Sequence, residues 1–167
     1  MTIVIETGIG TLASANSYVT LATADAYFES RGYTTWTDGD DDLKEYAIIN
    51  ACLLMEVYPW RGQRALSTDP LAWPRRSMQD RDGYPVYSDT IPNEIKKGQM
   101  ELAFRLFNGK SPYVDIATGD GYVTKEVIGP VEITYASGYS TSYKFPEIDA
   151  LLSPWLDSSL SVILERA

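Results

Sequence analysis

Between two stretches of clear helical periodicity lies a run, residues 59 to 91, that follows neither the helical nor the strand period in its apolar positions. Pro59, Pro70, Pro74 and Pro85 fall inside it and Pro92 just beyond, together five of the nine prolines. Proline fixes φ and lacks the backbone N–H, so neither an unbroken helix nor a central strand can pass through this run. A connection of this length without regular structure is uncommon in a compact domain and usually serves binding or assembly. The chain therefore has to fold as helices that support an ordered excursion.

The helices are readable from their faces and ends. Thr20 is a natural N-cap, Leu21, Ala24, Tyr27 and Phe28 share one face, and Gly32 stops the first helix. "TTWTDGDDD" reads as a turn whose carboxylates complement the positive end of the next helix. From Leu43 to Tyr58 the apolar residues Leu43, Ala47, Ala51, Leu54 and Tyr58 recur at helical steps, and Pro59 ends that helix. Pro92 at a first helical position opens a third, with Ile95, Gln99, Leu102 and Leu106 beside Met100, Ala103 and Phe107 on its buried face, and Gly109 closes it.

Thr2 to Thr7 suits a short strand or extended arm. "YVTKEVIGPVEITYA" suits a hairpin around Gly129-Pro130. Pro146 starts a last helix that Pro154 breaks, and the tail from Trp155 to Leu164 is apolar enough to need a partner surface. The expected fold is mainly α: a bundle of about four helices with a small β-hairpin element and a long ordered loop over residues 59 to 91. At 167 residues one domain is expected.

Composition narrows the chemistry. The chain has no His, which removes the commonest general base and transition-metal ligand. Its one cysteine, Cys52, sits in an apolar helical run and reads as core. The acidic groups Asp38 to Asp42, Asp80 with Asp82, and Asp149 with Asp157 read as caps and solvated turns. The calcium-loop pattern with its closing Glu is not met, and "DRDG" is an ordinary turn sequence. There is neither a G-x-S-x-G motif nor a glycine-rich phosphate loop. A protein that is not an enzyme and carries no cofactor or metal is expected. "MTIVIETG" has no basic leader and no stretch approaches the ~20 apolar residues of a membrane span, so cytosol-like conditions and no membrane are expected.

Fourteen basic against 23 acidic residues give a net charge of -9, a field that repels phosphate backbones at long range. The exception is local: Arg61, Arg64, Arg75, Arg76 and Arg81 interleave with Trp60, Trp73 and Tyr84. Three readings stay open. The segment could stack bases and hold phosphates of a single strand. It could present Arg and Trp to another protein, as interface hot spots do. Or Trp60 and Trp73 could anchor the loop to the chain's own core.

Taken in order, "ETG", "ANSYVTLATADAYFESRG", "YPWRGQR", "LAWPRR" followed by "DRDGYPV", "IPNEIKKGQMELAFRL", and "VIGPVEITYA" before "IDALLSPWL" carry a resemblance over about residues 5 to 156. They resemble the head-to-tail connector proteins of tailed bacteriophages, also called adaptor or head-completion proteins. That group includes relatives labelled DnaT-like single-stranded-DNA-binding proteins. The resemblance implies a structural virion protein of the neck, made in the host cytoplasm. It would form a homo-oligomeric ring, usually of twelve, between portal and tail or the next neck protein, with DNA passing through without sequence-specific capture. It implies a connector domain over residues 1 to 156 and a tail, residues 157 to 167, that docks into the portal. The interface expected on this reading comprises Arg61, Arg64, Trp73, Arg75, Arg76, Arg81 and Tyr84, with Trp155, Leu156, Leu160 and Ile163 at the tail. The alternative is DnaT-like binding of single-stranded DNA, which would need a basic groove with accessible aromatic rings.

Overall fold

A computed structural model of the chain describes residues 2–8, 13–110 and 145–157, and the backbone of 125–128 and 131–134. The helices are α1 (Leu21–Glu29), α2 (Thr34–Thr37), α3 (Asp41–Met55), α4 (Asn93–Phe107) and α5 (Pro146–Leu152), followed by a 3-10 turn over Ser153–Trp155. Among the described residues the strands form three two-stranded antiparallel ladders: β1 (Gln63–Arg64) with β2 (Arg75–Arg76), β3 (Met78–Gln79) with β4 (Pro85–Val86), and β5 (Lys125–Ile128) with β6 (Val131–Thr134). The architecture is mainly α with small hairpins, as the helical periods imply.

Local chemistry sets the helix ends. Thr20 Oγ1 accepts from Thr23 N–H at 2.9 Å to cap α1, and Asp40 caps α3 through Leu43 N–H at 3.2 Å, with Asp41 and Asp42 in the first turn. At the end of α4 the N–H groups of Gly109 and Lys110 return to the carbonyls of Leu106 and Arg105 at 2.9 and 2.8 Å. That double closure needs a left-handed residue at its corner, and Gly109 supplies it with φ of 71°.

α3 packs on α4, α4 on α5, and α1 on both α2 and α3. The core between them contains Ile48, Ala51, Met55, Ile95, Leu102, Ile148 and Leu152. Gln99, fully buried, ties three segments together. Its Oε1 accepts from Tyr18 N–H at 3.0 Å, while Nε2 donates to Ser17 Oγ at 2.8 Å and to the Ile48 carbonyl at 3.0 Å. Such a polar group is tolerated inside because its hydrogen bonds are made. Phe28, Tyr33, Trp36, Phe104 and Phe107 form an aromatic cluster with ring centroids 4.7 to 5.5 Å apart.

Several expectations shift. "TTWT" is a helical turn, because Trp36 is drawn fully into the core and its indole N–H donates to Asp25 at 2.8 Å. In α3 the buried face is Lys44, Ala47, Ile48, Ala51, Cys52 and Met55, while Leu43 lies 56% exposed. The face is rotated because Lys44 reaches Asp41 at 2.9 Å and Asp25 at 3.5 Å, so its ammonium is paired while its stem is covered. Of the two expectations for Thr2 to Thr7, strand or extended arm, no strand forms there, and a single parallel bridge joins Ile5 to Ser17. The run over residues 59 to 91 contains four short strands where a loop was expected.

Candidate functional site

The excursion is held from both sides. Its entry pairs with the end of the described chain. Arg61 N–H donates to the Trp155 carbonyl at 2.9 Å, Asp157 N–H donates to the Pro59 carbonyl at 2.7 Å, and Trp60 and Leu156 face each other across the bridge. Behind it Trp60, Trp73 and Trp155 meet edge to face, with centroids 5.9 and 5.5 Å apart, and Trp60 Nε1 donates to the Met55 carbonyl at 2.9 Å. Trp73 is fully buried and its bond to Pro74 is cis. At Gly62, φ is 68° and a Cβ would stand 2.5 Å from the Arg76 carbonyl, so no side chain fits where β1 approaches the β2–β3 link.

Arg75 holds this arrangement from within. It is 9% exposed. Its Nε donates to the Arg61 carbonyl at 2.6 Å, Nη1 to Ala72 at 3.0 Å, and Nη2 to Trp60 at 3.3 Å and Gly62 at 2.9 Å. Burial lowers its pKa, and the Arg64 charge acts in the same direction. Nearby, Glu56 accepts from Ala72 N–H at 2.7 Å and from Tyr18 Oη at 3.3 Å through Oε1, and pairs with Arg64 at 3.0 Å through Oε2. Burial raises the Glu56 pKa, while Ala72 N–H and Arg64 pull against that rise. The expectation that Trp73 and Arg75 face a neighbour is therefore corrected: both are consumed inside their own chain, where the Trp anchors the excursion and the Arg saturates its carbonyls.

The remaining cations are unequally available. Arg31 and Arg105 both pair with Glu101, itself 2% exposed, and with Glu147. Arg61 donates to the Pro154 carbonyl at 3.1 Å, and Arg64 to the Asp69 carbonyl at 3.1 Å as well as to Glu56. Arg76 and Arg81 are exposed and have no carboxylate or carbonyl partner among the described residues. On the same module Tyr84 and Tyr87 are 70% and 77% exposed, the highest exposures among the large hydrophobic side chains described. Residues 59 to 92 hold five arginines and four aspartates, whereas the rest of the chain holds nine basic against nineteen acidic residues. The module is thus close to neutral within an acidic chain.

Of the other expected residues, Trp155 is 3% exposed and Leu156 half-buried, while Leu160 and Ile163 lie outside the described residues. Asp80 is occupied by its turn, accepting from Asp82 N–H at 3.0 Å and Tyr84 N–H at 2.8 Å. Cys52 is 1% exposed and burial pushes its thiol pKa up, as for a core residue. Sequence reasoning missed Tyr87 and Glu94. Both line a groove of about 570 Å³ with Arg81, Asp82, Leu151 and Trp155. Tyr87 sits in "GYPVYSDT", where an aromatic outside any apolar period and next to turn residues was the available signal.

Against known proteins, one family model covers residues 1–167, and its description reads "Putative DnaT-like ssDNA binding protein". No curated protein matches, and no solved structure matches. The match overturns the identification as a phage head-to-tail connector. The virion-neck, adaptor and portal-binding roles drawn from that identification go with it, since the family that spans the chain is the one that stood as the alternative. By a match that runs over its whole length, the chain belongs to the DnaT-like family.

Proposed function

We propose that the chain binds single-stranded DNA, without catalysing a reaction, on the outer face of the 59–92 module. The observation that carries this reading is the coincidence of Arg76 and Arg81, guanidinium groups without a partner among the described residues, with Tyr84 and Tyr87, the most exposed of the described rings, on one short double hairpin. Family membership supports the choice of ligand. The rings supply sequence-tolerant stacking, about 1–3 kcal/mol per base, and the arginines meet the phosphates between stacked bases. Arg61 and Arg64, exposed though partly engaged, extend the basic strip.

The net charge of -9 has to be weighed against this. At physiological salt, exposed charges more than about 8 Å away are largely screened, so the acidic remainder of the chain weakens long-range steering more than it weakens contact. Stacking then carries much of the affinity, and the salt dependence is shallow. With four arginines engaged, the slope of log K against log salt is about -2.8. Fluorescence anisotropy with a labelled oligonucleotide tests the proposal: saturable binding lost on replacing Arg76, Arg81, Tyr84 and Tyr87 is expected, and no saturable binding at ~50 mM salt contradicts it.

A further inference from the structure

We propose that the outer face of α3 is a dimerisation surface, on which a second copy of this chain docks antiparallel about a two-fold axis at Asn50. The inference goes beyond the single-stranded DNA reading and does not depend on it.

α3 is apolar on two faces. Ala47, Ile48, Ala51, Cys52 and Met55 are buried in the core, yet Leu43, Tyr46, Leu53 and, just past the helix end, Val57 are 45 to 65% exposed. With Asn50 these four fall within about 80° of the helix circumference and run about 21 Å along it, at 3.6 residues and 5.4 Å per turn. Half-buried Ile49 and Leu54 border the stripe. No charged residue occurs from Tyr46 to Met55. The outer face of a surface helix is normally charged, and a helix that is apolar all round is normally covered all round. Four side chains of this size, about half in water, expose roughly 400 Å² of apolar surface, as much as the largest patch of a typical monomer.

The pattern of the stripe selects the occupant. It is symmetric about Asn50: Leu43 and Val57 lie seven residues to either side, and Tyr46 and Leu53 lie four and three. A two-fold axis at Asn50 therefore sets Leu43 against Val57, and Tyr46 against Leu53, of the other copy, the self-complementarity that an isologous contact requires. On the axis each Asn50 amide offers the donor and the acceptor that its copy needs, and one such amide inside an apolar seam fixes register. Charge sets the direction. Parallel helices would bring Asp41 and Asp42 of the first turn onto their own copies, whereas antiparallel helices carry them to opposite ends of the seam. A charged peptide, by contrast, would find no counter-charge along the stripe. The area fits a second copy as well: two such faces with their rims bury on the order of 1,000 Å² in total, the lower end of specific interfaces, so the dimer is a reversible one.

Sedimentation equilibrium of the full chain tests this, with circular dichroism to establish that each variant is folded. Wild type should pass from monomer to dimer with a dissociation constant of about 10 µM, and Leu53→Glu or Asn50→Asp, both at exposed positions, should weaken it by about tenfold or more. An equimolar mixture of Asn50→Asp and Asn50→Lys chains should recover dimerisation to within about threefold of wild type, because opposite charges then meet on the axis. Wild type that stays monomeric up to about 200 µM overturns the proposal, as does a dimer that both substitutions leave unchanged. Growth past the dimer, or a mixture that does not recover, overturns the two-fold contact at Asn50. A chain that stays monomeric while the thiol of a Leu53→Cys variant remains unreactive overturns the proposal too, and assigns the stripe to another segment of the same chain.

Discussion

Arg75 and Arg76 are adjacent in β2 and go to opposite faces. Arg75 places its guanidinium among the carbonyls of Trp60, Arg61, Gly62 and Ala72, while Arg76, opposite Gln63, stands in solvent. Strand alternation forces this division, and it separates a structural arginine from a ligand-facing one. Arg75→Met should leave those carbonyls without donors in a covered site and cost about 3 kcal/mol, lowering Tm by about 6–12 °C in a chain of this size. Arg76→Glu should change stability by less than about 0.5 kcal/mol and weaken oligonucleotide binding. Paired thermal melts and anisotropy titrations check the split; equal effects of the two substitutions on Tm would contradict it.

Glu101, in α4, ties that helix to the side chain of Tyr27 in α1. Nearly fully buried, it accepts from Tyr27 Oη at 2.9 Å and from Arg105 at 2.9 Å, and it also pairs with Arg31. Glu101→Ala should leave Arg31 and Arg105 without the buried one of their two shared carboxylates and destabilise the fold by about 3–5 kcal/mol, read as a lower urea midpoint at unchanged slope. A change under about 1 kcal/mol would show that the network contributes little.

Stability should also carry the mark of Glu56. Its folded pKa lies above its ordinary value because of burial, so the folded chain holds a proton at pH values where the unfolded chain has released it. The stabilisation linked to that proton is complete below the unfolded value, near ~4.3, and is lost as pH rises through the folded value. Glu56→Gln should flatten this part of the stability profile, measured by urea denaturation in steps from about pH 4 upward. A difference between wild type and variant that does not change with pH would refute the assignment.

Tyr84→Ala and Tyr87→Ala should leave the melting temperature within about 1–2 °C of wild type, because both rings are largely solvent-exposed. If each stacks one base, each should reduce affinity for single-stranded DNA by about 1–3 kcal/mol. Variants that bind as wild type does would remove the stacking role.

What the sequence discloses follows how local the cause is. The Thr20 cap, the Gly109 stop and the Pro146 start depend on a few neighbouring residues, and all three stand where the sequence places them. The face of α3 was displaced because the burial of Lys44 depends on Asp25, in α1. The fates of Arg75 and Arg76 are set by pairing with Gln63 and Arg64 across a gap in sequence, which no periodicity records. Adjacent arginines with an interleaved Trp read as one exposed patch, yet Trp73 and Arg75 are its inner wall and Arg76, Arg81 and Tyr84 its outer one.

The most direct test of the central claim is a salt-resolved anisotropy titration of a fluorescent single-stranded oligonucleotide with the wild-type chain and the double variant Arg76→Glu/Arg81→Glu. Expected are saturable wild-type binding with a log–log salt slope of about -2.8, and a folded double variant whose affinity falls and whose slope shrinks by about 1.4. Wild-type and variant chains with the same affinity and the same slope would contradict it.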